Sequence, residues 1–335
     1  MRRRLKSLPA LPRLIAPLVL AALLLPAFSI LLSGSALPCT HDNIFHQYRI
    51  VAMRSMLRHG WLFSRWVPNL ALGYGYPFFT YREPLPYLVG EALFALDVPL
   101  PLALGSLYAV SLFFGAWGAF ILAHDLFGPR AAWVSAVAYG LAPYVLMDAM
   151  RRGNMPENVG LALLPWLFVV LRRLILKGGR ARFLASVLLL GALFLSHNIS
   201  SLLLAPFLGL YVVLLSVVHR ERGYWPYAFV AVGLAVMVTA WFWLPALTEQ
   251  DFVQLHLSRT TRNNDFRYNF VSWREMLLLG PAPYDASYLN PPMRVRLGLG
   301  QTVLGALGAV LGLTRTKVRE RRYLVGLFVI AGLGY

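Results

Sequence analysis

The chain has a single cysteine in 335 residues, Cys39, which excludes an internal disulfide framework and a cysteine-built metal site. Acidic residues are also scarce, 14 against 31 Lys and Arg, and charged residues make up only 13% of the sequence. No Walker loop, dinucleotide fingerprint, HExxH motif or zinc-ligand spacing occurs, which argues against nucleotide and zinc chemistry. No internal repeat, Gly/Ser linker or low-complexity tract divides the chain, so it reads as one domain over 1–335. Cys39 follows an apolar run as a lipobox cysteine would, but Pro38 stands where a small residue is needed.

Hydrophobic residues are abundant instead. They form 58% of the chain, and the mean hydropathy is +0.61, outside the range of soluble globular proteins. The expected fold class is all-α, a polytopic transmembrane helical bundle. Apolar spans fall at about 14–37, 100–124, 130–149, 158–176, 183–197, 199–218, 224–247, 297–313 and 323–335, about nine helices. The first of these is longer than a signal-peptide core and lacks a small-x-small cleavage site, so it reads as a retained helix with a cytoplasmic N-terminus. The last run, Tyr323–Tyr335, is too short to span, and the sequence reads as ending within its ninth helix.

The segment Leu85–Leu96 is apolar but only 12 residues long, about 18 Å of helix against a hydrocarbon core of about 30 Å. Charge decides how to read it. If it does not cross, the N-terminus and loops 125–130, 171–182, 219–223 and 314–322 are cytoplasmic and hold 18 of the Lys and Arg against three acids. If it did cross, the basic runs RRLILKGGRAR and RTKVRERR would face outward, against the positive-inside rule. The segment is therefore expected to lie along or dip into the outer interface. The net charge of +17 then follows from topology, and no nucleic-acid partner is implied.

With this topology the outer face receives a long first loop (38–99), MRRGNMPEN (150–158), SHNIS (196–200) and a second long loop (248–296). The first loop concentrates the titratable residues. On a helix beginning near Asp42, positions 42, 46, 49 and 53 share one stripe, which brings Asp42, His46 and Arg49 together. Asp42 suits a general base or a cation ligand, and equally an N-cap for a helix over 43–59. Arginine forks bind phosphate, so a lipid-phosphate ligand would explain Arg49, Arg54, Arg58 and Arg65 of the first loop, though arginines at a membrane also meet lipid headgroups. Glu157 could cap the following helix or serve as a second acid. His197 and Asn198 sit in a tight turn where either a structural role or ligand contact is open. Pro143, Pro165, Pro206 and Pro245 fall in the outer halves of their helices, where kinks would splay the bundle.

An acid followed by H-x-x-R, then GYGYPFFTYREPLPY, RRGNMPEN, LFLSHNISSLLLAPF and FWLPALTEQDFV, resembles the membrane proteins labelled 6-pyruvoyl-tetrahydropterin synthase-related. Nothing in the chain resembles a soluble pterin enzyme. In architecture that group is similar to the glycosyltransferase C superfamily, which includes oligosaccharyltransferases and protein mannosyltransferases. The resemblance implies a transferase of the cytoplasmic (inner) membrane with its active face extracytoplasmic. It would move sugar from a polyprenyl-phosphate-linked donor to a glycan, lipid or protein acceptor by inverting displacement. It implies Asp42 as the catalytic acid group, Glu157 as a second acid beside His46, and Arg49, Arg151, Arg152, His197 and Asn198 at the donor phosphate. Some members use a divalent metal, Mg or Mn; the absence of a DxD or DE pair here leaves that open. The competing readings are a lipid or sugar transporter or flippase, for which the apolar spans carry too few charges, and a non-catalytic membrane assembly protein. A reporter fused after Lys177 is expected to read cytoplasmic; an external reading would mean that Leu85–Leu96 crosses.

Overall fold

The computed structural model describes residues 10–33, 40–62, 65–254 and 296–334, together with 257, 267, 276 and 277. Cys39 and most of the second long loop lie outside the described residues. Within them the chain is all-α, and only an isolated bridge between Val67 and Tyr76 pairs extended backbone. The elements that matter here are α1 (Ala10–Leu23), α2 (Leu25–Leu31), α3 (Asn43–Arg58), α4 (Phe78–Tyr81), α5 (Leu85–Ala95), α6 (Leu100–Phe127), α7 (Pro129–Gly140) and α8 (Pro143–Met147). A wide π turn (Asp148–Arg152) leads into α9 (Met155–Lys177), followed by α10 (Arg180–Phe194), α11 (Asn198–Val218), α12 (Trp225–Val238), α13 (Ala240–Thr248), α14 (Leu299–Thr314) and α15 (Arg319–Gly334).

Among the described residues three helices, α6, α9 and α11, are long and apolar enough to cross a membrane alone, and α12 with α13 makes a fourth if that bent pair is one span. The first expected span is broken between α1 and α2, and the third between α7 and α8. The pair α12–α13 bends by 63°. The expected proline kinks do not account for it: the break falls at Thr239, whose hydroxyl bonds back to the Ala235 carbonyl at 2.8 Å, while Pro245 lies inside α13. Pro165 and Pro206 are likewise carried within continuous helices, whereas Pro143 stands at the first turn of α8, directly after the break from α7.

α9 is the hub, packing on α6, α10, α11 and α12. Its contact with α6 is close because α6 offers glycines. A β-carbon on Gly115 would come within 3.2 Å of the Ala162 Cα, and one on Gly118 within 2.8 Å of the Trp166 ring. In an apolar solvent, such small residues let backbones approach where burial alone drives nothing. Polar side chains add fixed points against backbone carbonyls: Trp166 Nε1 donates to Phe114 O at 2.8 Å and Tyr139 to Leu161 O at 2.6 Å.

Two ends of the bundle are chemically distinct. At one, Arg173 grips Asp125 with both Nε (2.8 Å) and Nη2 (3.2 Å), and Arg172 grips Glu320 at 2.5 and 3.2 Å with His219 beside it. Burial opposes charge on Glu320, but hydrogen bonds from His219 and Arg172 outweigh it and hold the carboxyl down at about 2. Residues 125, 172–173, 219 and 320 all belong to the connections grouped together by charge. At the other end the 40–99 segment, the π turn, the 195–198 turn and Glu249 meet.

The α6–α9 seam makes a direct stability prediction. Gly115→Val should destabilise the bundle by about 1–3 kcal/mol through overpacking, lowering the apparent unfolding temperature by several degrees. Gly305→Ala, with no heavy atom within 4 Å of the added carbon, should leave it unchanged or slightly raised. Thermal unfolding of the detergent-solubilised variants checks both.

Candidate functional site

The site begins where the chain enters α3. His41 N donates to Arg151 O at 3.2 Å and Asp42 N to Arg152 O at 3.0 Å, so the start of the first loop is laid against the π turn. Asp42 occupies the N-cap position of α3, but its side chain makes no capping bond. Thr40 Oγ1 takes the Asn43 N–H instead, at 3.1 Å. The half-buried Asp42 carboxylate accepts no hydrogen bond from the described residues, while lying close enough to influence Asp148 and Arg152 electrostatically. The expected stripe is present. His46 and Met53 are buried and Arg49 is half-buried on the inward face of α3.

His46 Nδ1 lies 2.9 Å from the Tyr87 hydroxyl, which also accepts from Arg49 Nη1 at 3.3 Å. Accepting from Arg49 leaves that hydroxyl its proton to donate to Nδ1. Burial, followed by the charges of Arg49 and Arg82, lowers the His46 pKa to about 3, so the ring is neutral. Burial also raises Tyr87 to about 12. Tyr87 comes from α5, the short apolar segment, which packs on α3 and α6.

The π turn supplies a buried ionic network. Arg152 Nη1 donates to Glu157 Oε2 at 2.5 Å and stands 3.6 Å from Asp148 Oδ1. Glu157 is otherwise saturated: Tyr144 donates to Oε1 and Asn154 Nδ2 to Oε2 at 2.9 Å, while Asn154 caps α9 through the Glu157 N–H. Asp148 is different. It is fully buried, and neither carboxylate oxygen has a hydrogen bond. Asn158, also buried, has both amide atoms unbonded, and so do Asn43 Nδ2 and His46 Nε2. Unsatisfied buried polar atoms are rare, and several in one place call for an explanation. Burial, with Glu157 beside it, pushes the Asp148 carboxyl up to about 8.

The 196–200 turn is joined to the same end. Asn198 N donates to Glu83 Oε1 at 2.7 Å, Asn198 Nδ2 to Tyr81 O at 3.2 Å, and Leu85 N to Leu195 O at 3.0 Å. Glu83 thus sits, buried, at the positive end of α11. His197 caps α11: its Nδ1 accepts the Ser200 N–H at 3.2 Å and faces the Ser200 hydroxyl at 2.7 Å. Burial lowers its pKa, which suits a neutral cap. Arg151 is exposed and contributes its carbonyl. The structure therefore gathers Asp42, His46, Arg49, Arg152, Glu157, His197 and Asn198 at one end, with His197 in a capping role and Arg152 committed to carboxylates.

Asp148 and Glu83 were not anticipated. The first closes an apolar run and looked like part of the span 130–149; the structure ends that helix at Met147 and places Asp148 in the π turn. Among the described residues no three His, Asp or Glu side chains form a metal-holding group. Glu157 is saturated by hydrogen bonds and paired with Arg152, and burial favours the neutral form of Asp148, so this donor set does not fit Mg or Mn.

Two cavities flank the site. One, of about 730 Å³, lies between α3 and the 69–82 segment, with Arg49 and Arg82 in its wall. The other, of about 520 Å³, lies among α10, α11 and the bent α12–α13; it is lined by Phe194, Ile199, Leu202, Val236, Phe242 and Trp243 and touches the site at Asn198.

Apolar helices that pack through glycine seams, with polar chemistry gathered at one end, define an integral membrane protein. The sequence matches the family described as the 6-pyruvoyl-tetrahydropterin synthase related domain, a membrane protein, over residues 79–273, and the chain belongs to that family. No curated protein matches it.

Asp148 has a folded pKa raised above that of an unfolded carboxyl, so its contribution to stability is present in full below about pH 4 and is lost as pH rises through about 8. Asp148→Asn should therefore be the more stable protein at pH 8.5, with an apparent unfolding temperature higher by about 2–4 °C. Near pH 4 the two should coincide. Melting curves across that range check the sign.

Proposed function

We propose that the protein is a membrane glycosyltransferase that moves a sugar from a polyprenyl-phosphate donor to an acceptor hydroxyl. The observation that carries this reading is the Asp42 carboxylate, held in place by its own backbone yet accepting no hydrogen bond, beside the buried Asp148–Arg152–Glu157 network. On this reading Asp42 takes the proton of the acceptor hydroxyl. The acceptor oxygen forms the new bond to the anomeric carbon from the face opposite the donor linkage. The anomeric C–O bond to the phosphate breaks with inversion, and its electron pair leaves on the phosphate oxygen. A cation that meets this charge lowers the barrier. His46 is too easily deprotonated to be that cation, so the role falls to arginine. Glu157 and Asp148 act through Arg152, whose carbonyl positions Asp42. The apolar cavity beside Asn198 suits a hydrocarbon chain.

The membrane arrangement belongs to the same proposal. The charge-grouped connections converge at one end of the bundle and the site at the other, which supports nine spans with the basic end cytoplasmic and the site outside the inner membrane. A transporter is the second reading, favoured by one observation: Asp148 is a buried acid beside the break between α8 and α9, where transporters place coupling groups.

Incubation of purified full-length protein with polyprenyl-phosphate sugars and a mixed acceptor pool tests the transferase. Asp42→Asn should reduce turnover by at least about 100-fold, the scale of a lost general base. Turnover that survives the substitution would falsify the assignment to Asp42; sugar movement across proteoliposomes without bond formation would favour transport.

A further inference from the structure

Asp148 and Asn158 face each other where the π turn meets α9, at 0% and 2% exposure, and none of their four polar side-chain atoms has a hydrogen bond. The amide stands near enough to act on the titration of the carboxyl, yet outside hydrogen-bond distance. The two groups complement each other fully only when the carboxyl is neutral. Its O–H can then donate to Asn158 Oδ1 while its other oxygen accepts from Nδ2. A carboxylate has no proton to give and leaves Oδ1 without a donor in a fully buried place.

The charges around Asp148 are unevenly shared. Glu157 on α9, Arg152 in the π turn and Asp42 at the entry to α3 all act on it, and the uncharged phenols of Tyr108 and Tyr144 lie within its reach from α6 and α8. One guanidinium, that of Arg152, thus stands among three carboxyl groups. It lies on Glu157 at 2.5 Å and stands off Asp148 at 3.6 Å. Glu157 has two further donors, Tyr144 and Asn154. Arg152 therefore has a second position open to it. If Asp148 ionises, the guanidinium can close on that carboxylate while Glu157 keeps its other two bonds.

The same turn carries the anchor of the first loop. Arg152 O accepts the Asp42 N–H at 3.0 Å and Arg151 O the His41 N–H at 3.2 Å. Gly153 follows with φ 70°, pressed against Thr40 and Asn43; a β-carbon there would come within 2.7 Å of Asn43 Oδ1. With so little slack, a shift of Arg152 toward Asp148 is passed to the seat of Asp42.

We infer that Asp148 is a proton-binding site that controls the seat of Asp42. With the proton bound, Arg152 stays on Glu157, and the His41 and Asp42 amides stay bonded to the π turn. When the proton leaves to bulk water, Arg152 moves onto Asp148 and those two backbone bonds loosen. The element with two arrangements is the Arg152 side chain, and the charge that selects between them is the one on Asp148. Burial, and next the charge of Glu157, bring the loss of the proton to about pH 8. The inference rests on the transferase reading only for what Asp42 does once it is seated; binding of the proton requires no transfer.

Hydrogen–deuterium exchange of the full-length protein in nanodiscs, from about pH 7 to about pH 9.5 and scaled for the intrinsic rise of exchange with pH, reads the His41 and Asp42 amides directly. Their protection is expected to fall about five-fold or more through a midpoint near pH 8, while the α9 core over 166–171 keeps its protection. Asp148→Asn, a neutral group of the same shape, should stay protected throughout. Glu157→Gln should bring the fall to lower pH, and Asp42→Asn should do so by a smaller step, in the order of their influence on Asp148. Asp97→Asn removes an exposed acid and should leave the midpoint in place. The proposal is overturned if the parent amides show no transition in this range, if Asp148→Asn loosens as the parent does, or if the α9 core loosens with them. Where Asp148→Asn does not fold, Glu157→Gln decides, and an unmoved midpoint overturns the proposal. Turnover is no part of this readout. An inactive protein with the expected exchange profile would sink the transferase reading and leave the proton site standing, and an active protein without the transition would do the reverse.

Discussion

Arg152 is the residue on which the polar end of the molecule depends. Its guanidinium lies between Glu157 at 2.5 Å and Asp148 at 3.6 Å, and its carbonyl receives the Asp42 N–H. A buried ion pair gives little net stability when intact, because desolvation offsets attraction, but removal of one partner leaves an uncompensated charge and is costly. The π turn that carries Arg152 is thus fixed electrostatically from α9 and at the same time fixes the entry to α3. One residue positions the candidate base and pulls against the burial that favours the protonated form of the acid behind it.

From that anchor the first loop is joined to the bundle by directional bonds as well as by an apolar cluster in which Ile50, Met53, Phe79 and Tyr87 pack with Leu104 and Leu107 of α6. Tyr108 holds Asn43 at 2.7 Å, Glu83 and Leu85 hold the 195–198 turn, and Arg65 and Tyr81 hold Glu249. Directional bonds tolerate less displacement than hydrophobic contact. A loop held in this way keeps Asp42 and Arg49 in register on α3.

How much of this was legible in the sequence follows from which forces act locally. Charge in the connections depends on membrane side and hardly on packing, so 125, 172–173, 219 and 320 could be grouped correctly before any contact was known. The 42–46–49–53 stripe needed only helical period. Asp148 was hidden because an acid ending the run YVLMD reads as the edge of a span, and only tertiary contact with Glu157 and Asn158 reveals it as buried. Glu83 was hidden inside an aromatic motif whose partner, the Asn198 N–H, lies 115 residues away. The bend at Thr239 falls at no proline, whereas the break between α7 and α8 falls at Pro143, so proline placement located one discontinuity and not the other.

The neutrality of His46 has a consequence for where charge is handled. Burial and two neighbouring arginines hold the ring uncharged, so positive charge on the α3 stripe begins at Arg49, two turns beyond Asp42. Had His46 been cationic, it would have drawn an anion directly against the candidate base. As built, the neutral Tyr87 hydroxyl joins the two regions, facing His46 Nδ1 on one side and accepting from the Arg49 guanidinium on the other. A carboxylate and a guanidinium can then coexist on one helix without neutralising each other, which is the separation that the proposed proton abstraction at one point and charge departure at another would demand.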